Sequence, residues 1–200
     1  MARPREAQKS RELAERAVAV LEREGLGSST EQLARAIDVK RPTLLYHFPT
    51  YTHAIEVVLT TLLAEQAAFV ERKVEKQTHP IDRLYARLRA IHEFHRGREA
   101  RILFLSQAVA VAGGPRAVEI VKHASEFFEL DRRAMVERVE SGLADGIVHP
   151  CDAHALIALL RATIDGLTIQ RVTSREPLEP VYEMIWKRIL LPLKKKKRKS

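Results

Sequence analysis

Apolar residues recur at three- and four-residue spacing along almost the whole chain, and glycine and proline cut the runs. That is the period of amphipathic helices. Alternation at period two is absent. The single Asp-Gly dipeptide, Asp145-Gly146, lies between helical patterns, so no β-hairpin is expected there. The fold class expected is all-α, with about nine helices.

The punctuation sets the boundaries. A first helix is read over residues 7–24, with Leu13, Ala14, Ala17, Val18 and Leu21 on one face, and Gly25 ends it. Ser28-Ser29-Thr30-Glu31-Gln32 then offers a capping box, pairing either Ser29 with Gln32 or Ser28 with Glu31. The short helix behind it buries Leu33, Ala34 and Ile37. After a turn at Asp38-Val39, a third helix over 41–47 carries Pro42 in its first turn, where no N–H is needed. Leu44, Leu45 and Phe48 face inward and Pro49 stops it. A long connecting helix follows over 51–77, then helices over 81–96, 99–111 and, after Gly113-Gly114-Pro115, 116–141. Residues 142–150 form a connector. The helix over 153–172 is apolar on almost every side, so it is expected to be covered on every side. A last helix runs over 181–191.

Net charge is +8, but six positive charges sit in Lys194-Lys195-Lys196-Lys197-Arg198-Lys199, leaving the body near +2. Bulk charge is therefore a poor argument for nucleic acid, and local residues must carry it. The tail reads as a solvated end, a nonspecific anion tether or an import-like signal. One cysteine, Cys151, fits a reducing cytoplasm and excludes an internal disulfide. The polar, basic N-terminus does not read as a secretory signal, and no apolar run is expected to span a membrane.

The segment 30–48 is the most informative about function. A short helix, a turn and a second short helix present Lys40, Arg41, Thr43, Tyr46 and His47 outward, with apolar residues behind. Cations meet phosphates, and hydroxyl and imidazole groups reach base edges in a major groove. From Gly25 to Ile55 the chain resembles the DNA-binding module of the tetracycline-repressor (TetR) family. The matching residues are Gly25 with the Ser/Thr cluster, Leu33-Ala34, Val39, Pro42-Thr43-Leu44 and Tyr46-His47-Phe48-Pro49. The stretch 142–147, followed by an apolar helix with Gly166, resembles that family's C-terminal half. Four positions depart from the family pattern. Asp38 replaces a turn glycine, Lys40 a capping hydroxyl, Leu45 an aromatic residue, and Tyr51 a lysine.

The resemblance implies a DNA-binding domain over 6–66, an effector-binding and dimerisation domain over 67–192, and a basic tail over 193–200. It implies a sequence-specific transcriptional regulator, a ligand-released dimeric repressor on a palindromic operator. DNA contacts are expected from Thr30, Lys40, Arg41, Pro42, Thr43, Leu45, Tyr46, His47 and Tyr51. Arg5, Lys9 and Arg11 are expected to add nonspecific contacts from an arm. Tyr85, Phe94, His95, Phe104, Gln107, Phe127, Phe128 and Met135 are expected to line a pocket for a small-molecule effector. Leu156, Leu160, Ala162, Gly166, Tyr182, Trp186 and Ile189 are expected in a two-helix homodimer face. No cofactor, metal or catalytic residue is assigned. Two rival readings stand beside this one. One is a helical interaction protein without specific DNA binding. The other is a small metal-binding enzyme using His92 and His95, which share a helix face.

Overall fold

The computed structural model of the chain describes residues 4–112 and 114–195, with only part of the side chains between 112 and 127. Nine α-helices lie among the described residues: α1 Pro4–Glu24, α2 Thr30–Ala36, α3 Arg41–His47, α4 Tyr51–Val74, α5 Pro80–His95, α6 Glu99–Ala112, α7 Gly114–Ala144, α8 Ala153–Thr173 and α9 Glu179–Met184. The chain continues from α9 as a wider π-type stretch, Ile185–Leu190, and a tight turn, Leu191–Leu193. Among the described residues there is no β-strand, and one isolated antiparallel bridge joins Val148 to Lys194. The all-α reading therefore holds. Helix starts differ from expectation where proline sits inside a first turn. Pro80 opens α5, with the His79 imidazole Nδ1 accepting the Ile81 N–H at 3.1 Å.

The chain divides into two units, residues 1–64 with 100–125, and residues 65–99 with 126–200. Residues 100–125, assigned from sequence to the second domain, pack instead with the first unit. Arg101 shows why: its guanidinium pairs with Glu15 and, at 3.8 Å, with Glu22, both on α1. Burial pushes the Glu22 carboxyl up, opposed by Arg101.

In the first unit, Leu13, Ala14, Ala17, Val18 and Leu21 of α1 are buried together with Leu33, Ala34 and Ile37. The capping box that forms is Ser29 with Gln32: the Gln32 N–H donates to Ser29 Oγ at 3.2 Å, and the Ser29 N–H to Gln32 Oε1 at 2.8 Å. Glu31, left out of the box, pairs with Arg35 at 3.5 Å. Helix α4 is long and apolar enough to cross a membrane by length and composition, contrary to expectation. Its Ile55, Val58, Leu59 and Leu62 are nevertheless buried within the protein.

In the second unit, Leu84 and Leu88 of α5 meet Leu156, Ile157, Leu160, Ile164 and Leu167 of α8, and Tyr182, Ile185 and Leu190 join them. Helix α7 ends at Gly146, φ +67°, with the Gly146 N–H on Leu143 O and the Ile147 N–H on Gly142 O. Gly142 admits a neighbour no Cβ would allow: one there would lie 2.7 Å from Val148 Cγ2 and 3.0 Å from Pro80 Cγ. The chain end clips onto this connector. The His149 N–H donates to Leu193 O at 2.8 Å, the Lys195 N–H to Ile147 O at 3.0 Å, and Lys194 Nζ reaches both Asp82 oxygens. Lys194 and Lys195 thus belong to the folded body, and the rest of the basic tail lies outside the described residues.

Candidate nucleic-acid interface

The geometry of α2 and α3 begins with the turn between them. The Asp38 N–H donates to Arg35 O at 3.1 Å and the Val39 N–H to Ala34 O at 3.0 Å, while Asp38 itself takes φ +52°. This is the bonding of a Schellman C-cap, in which the left-handed residue is usually glycine. Aspartate adopts that region more readily than most residues, so the turn forms without glycine, at some strain. Arg16 of α1 donates to Ile37 O at the same cap, tying the turn to the first helix.

Helix α3 then starts after Lys40, whose side chain makes no capping bond, with Pro42 in its first turn. Leu44 and Phe48 are buried, each anchoring the helix by about 2 kcal/mol. Leu45, expected inward, is half-buried. Lys40, Arg41 and Pro42 are exposed, and Thr43, His47 and Tyr51 are half-buried. Tyr46 is the most open aromatic side chain of the set, 73% exposed. Arg41 Nε lies 3.4 Å from Thr30 Oγ1, so these two expected phosphate contacts stand side by side at the start of α2. The rings of Tyr46 and His47 meet edge to face, with centroids 5.1 Å apart.

One neighbour escaped the sequence reading. The Tyr46 hydroxyl donates to Glu6 Oε1 at 2.8 Å, a contact between residues forty apart. Glu6 joins Arg5, Lys9, Pro42, Thr43, Tyr46 and His47 around an open concavity of about 650 Å³. Arg5, Lys9 and Arg11, expected on an arm, lie instead within the first turns of α1. The face so built carries cations and hydroxyl groups on a rigid helix pair, which suits a polyanion with readable edges.

Of the expected effector residues, Phe104 and Gln107 fall in the first unit and the others in the second. Phe127's side chain lies outside the described residues. Gln107 is exposed and Phe104 half-buried. The Tyr85 ring packs at a tilt against Trp186 with centroids 4.8 Å apart, and Met135 packs on the core of the second unit. The Arg161 guanidinium covers the Phe128 ring at 4.0 Å. Phe94 is buried against Phe69.

His95 is buried. Its Nε2–H donates to Gln66 Oε1 at 2.6 Å, and its Nδ1 is buried with no hydrogen-bond partner among the described residues. Burial, helped by Arg98 and His92 against Glu99, lowers its pKa to about 4. His92, unassigned except as a possible metal ligand, has both nitrogens in use. Its Nε2–H donates to Ile164 O at 3.0 Å, and Nδ1 accepts the Tyr182 hydroxyl at 3.0 Å. A metal would have to displace both bonds. Burial pushes the His92 imidazole down and the Tyr182 phenol up to about 12.

The expected dimer residues separate by face. Leu156, Leu160 and Tyr182 are buried in the unit's own core and cannot form an outer surface. Trp186 and Ile189 are partly buried against the same core. Ala162 and Gly166 are exposed, and with Ala155, Ala158, Leu159 and Ile169 they make an apolar stripe along the outer side of α8. Leu159 and Ile169 are about half exposed, and Met184 of α9 is 66% exposed.

No family model matches the chain, and no curated protein matches it. Solved structures do. A putative transcriptional regulator from Saccharomonospora viridis in complex with choline is 18% identical, covers 94% of this chain and 99% of its own, and superposes with a TM-score of 0.70. The TetR-family regulator PfmR from Thermus thermophilus is 12% identical over 88% and 94% of the two chains, with a TM-score of 0.66. AibR, solved with isovaleryl coenzyme A and operator DNA, is 16% identical over 91% and 98%, with a TM-score of 0.65. The chain has the fold of TetR-family transcriptional regulators.

Proposed function

We propose that this chain, with the fold just described, is a homodimeric, sequence-specific DNA-binding transcriptional regulator acting in the cytoplasm. Helix α3 enters the major groove of an operator half-site. Lys40, Arg41 and Thr30 hold phosphates, while Thr43 and Tyr46 face base edges. The observation that carries the reading is the exposed α3 face, seated on buried Leu44 and Phe48 and fixed by the Asp38 turn.

A second copy completes the reader. The α8 stripe is apolar, exposed and lined with small residues, so it suits close approach of the same stripe across a two-fold axis. Two such subunits read a palindrome with half-sites about one helical turn apart. We propose further that a small molecule bound by the second unit favours a dimer state that does not span the operator. It releases DNA by its differential affinity for the two states. The likeness in fold to structures holding choline and isovaleryl coenzyme A supports this.

The test starts from a duplex selected by the protein from a random pool. Thr43→Ala and Tyr46→Ala are expected to weaken binding to that duplex, followed by fluorescence anisotropy, while leaving the sedimentation mass of a dimer unchanged. Unchanged affinity in both variants would show that α3 is not the reading helix.

A further inference from the structure

We infer that Glu6 of α1 is a specificity-determining partner of Tyr46, and that the pair offers only hydrogen-bond acceptors to the groove, so that each half-site presents a base amino group there. The inference rests on the DNA-binding reading above. A tyrosine hydroxyl has one hydrogen, and here it is donated to Glu6 Oε1 at 2.8 Å. Only lone pairs remain on the Tyr46 oxygen, and the Glu6 carboxylate is acceptor-only as well. The carboxylate also raises the Tyr46 phenol pKa, which keeps that proton in place.

This restricts what Tyr46 can touch. Phosphate oxygens, guanine O6 and N7, and thymine O4 are all acceptors, so none can bond a hydroxyl whose hydrogen Glu6 holds. In the major groove the donors are adenine N6 and cytosine N4. Tyr46 is therefore a base reader rather than a phosphate anchor, and it selects adenine or cytosine.

The surroundings allow a carboxylate here. Arg5 and Lys9 line the same concavity and offset its charge against the DNA backbone. The pair is also held in register, because the Arg16 bond to Ile37 O and the shared apolar core fix α1 relative to the α2–α3 turn. Glu6 acts through Tyr46 and is a positioning residue.

The variants separate hydrogen bonding from charge. Glu6→Gln removes the charge, keeps a carbonyl oxygen that can accept the hydroxyl hydrogen, and adds an amide donor. Glu6→Ala removes both, and Tyr46→Phe removes the hydroxyl. Both side chains are exposed, and circular dichroism of each full-length variant verifies the fold. Each protein is used to select from a pool of duplexes with a randomised centre, and the bound fractions are sequenced. The wild type and Glu6→Gln are expected to favour adenine or cytosine at one position per half-site by about 3- to 10-fold. Tyr46→Phe loses the preference there and keeps it elsewhere. Glu6→Ala loses it or turns it toward thymine or guanine, and the Glu6→Ala/Tyr46→Phe double variant matches Tyr46→Phe alone.

Identical consensus sequences from wild type, Glu6→Ala and Tyr46→Phe would overturn the assignment. No enrichment by the wild type would overturn the DNA-binding reading itself, and this assignment with it.

Discussion

Acidification should destabilise the second unit through His95, by an amount the structure sets. The imidazole is 3% exposed, its Nε2–H is spent on Gln66, and its Nδ1 faces no acceptor. Protonation there places a charged N–H in a buried site with no acceptor among the described residues. The folded pKa is accordingly lowered from 6.5 to about 4. The sign follows from linkage. Between those values the unfolded chain binds the proton and the folded chain does not. The contribution is thus fully present above about pH 6.5 and is lost as pH falls towards 4. The full shift corresponds to about 3 kcal/mol, of which about 2 kcal/mol is lost between about pH 7.5 and pH 5. His92, also pushed down by burial, adds in the same direction. Urea denaturation at the two pH values measures the loss, with His95→Gln as reference. The variant is expected to be less stable near pH 7.5 but to lose about 2 kcal/mol less on acidification. Equal losses in the two proteins would refute the claim that His95 is buried neutral.

Two further perturbations test the backbone geometry. Asp38→Gly relieves a left-handed aspartate and is expected to stabilise the protein by about 0.5–1 kcal/mol in thermal unfolding, since Asp38 φ is +52°. A loss of stability would mean that the Asp38 side chain does more than tolerate the turn. Gly142→Ala forces a Cβ to 2.7 Å from Val148 Cγ2 and is expected to cost about 1–3 kcal/mol, read as a lower denaturation midpoint. An unchanged midpoint would show that the connector yields without strain.

Local chemistry was legible in the sequence wherever one turn of chain decides it. The capping box needed only Ser29 and Gln32, three residues apart, although Ser28 and Glu31 offered the same spacing. The core anchors Leu44 and Phe48 followed from helix periodicity, while the αL position at Asp38 was implied by the family resemblance, in which a glycine stands there. The two faces of α8 did not. With apolar residues all round, nothing in the period told Leu156 and Leu160, which face the core, from Leu159 and Ile169, which face out. Contacts between distant residues were equally closed to inspection. Tyr182 meets His92 across ninety positions and Glu6 meets Tyr46 across forty. Neither pair has a local signature, because tertiary packing alone brings the partners together.

The most direct measurement of the central claim is a hydroxyl-radical footprint of the full-length protein on its selected duplex. Two symmetric protected patches about one helical turn apart are expected, both lost when Arg41 and Thr43 are replaced by alanine. A single patch, or protection that persists without those two side chains, would contradict the claim that paired α3 helices read DNA.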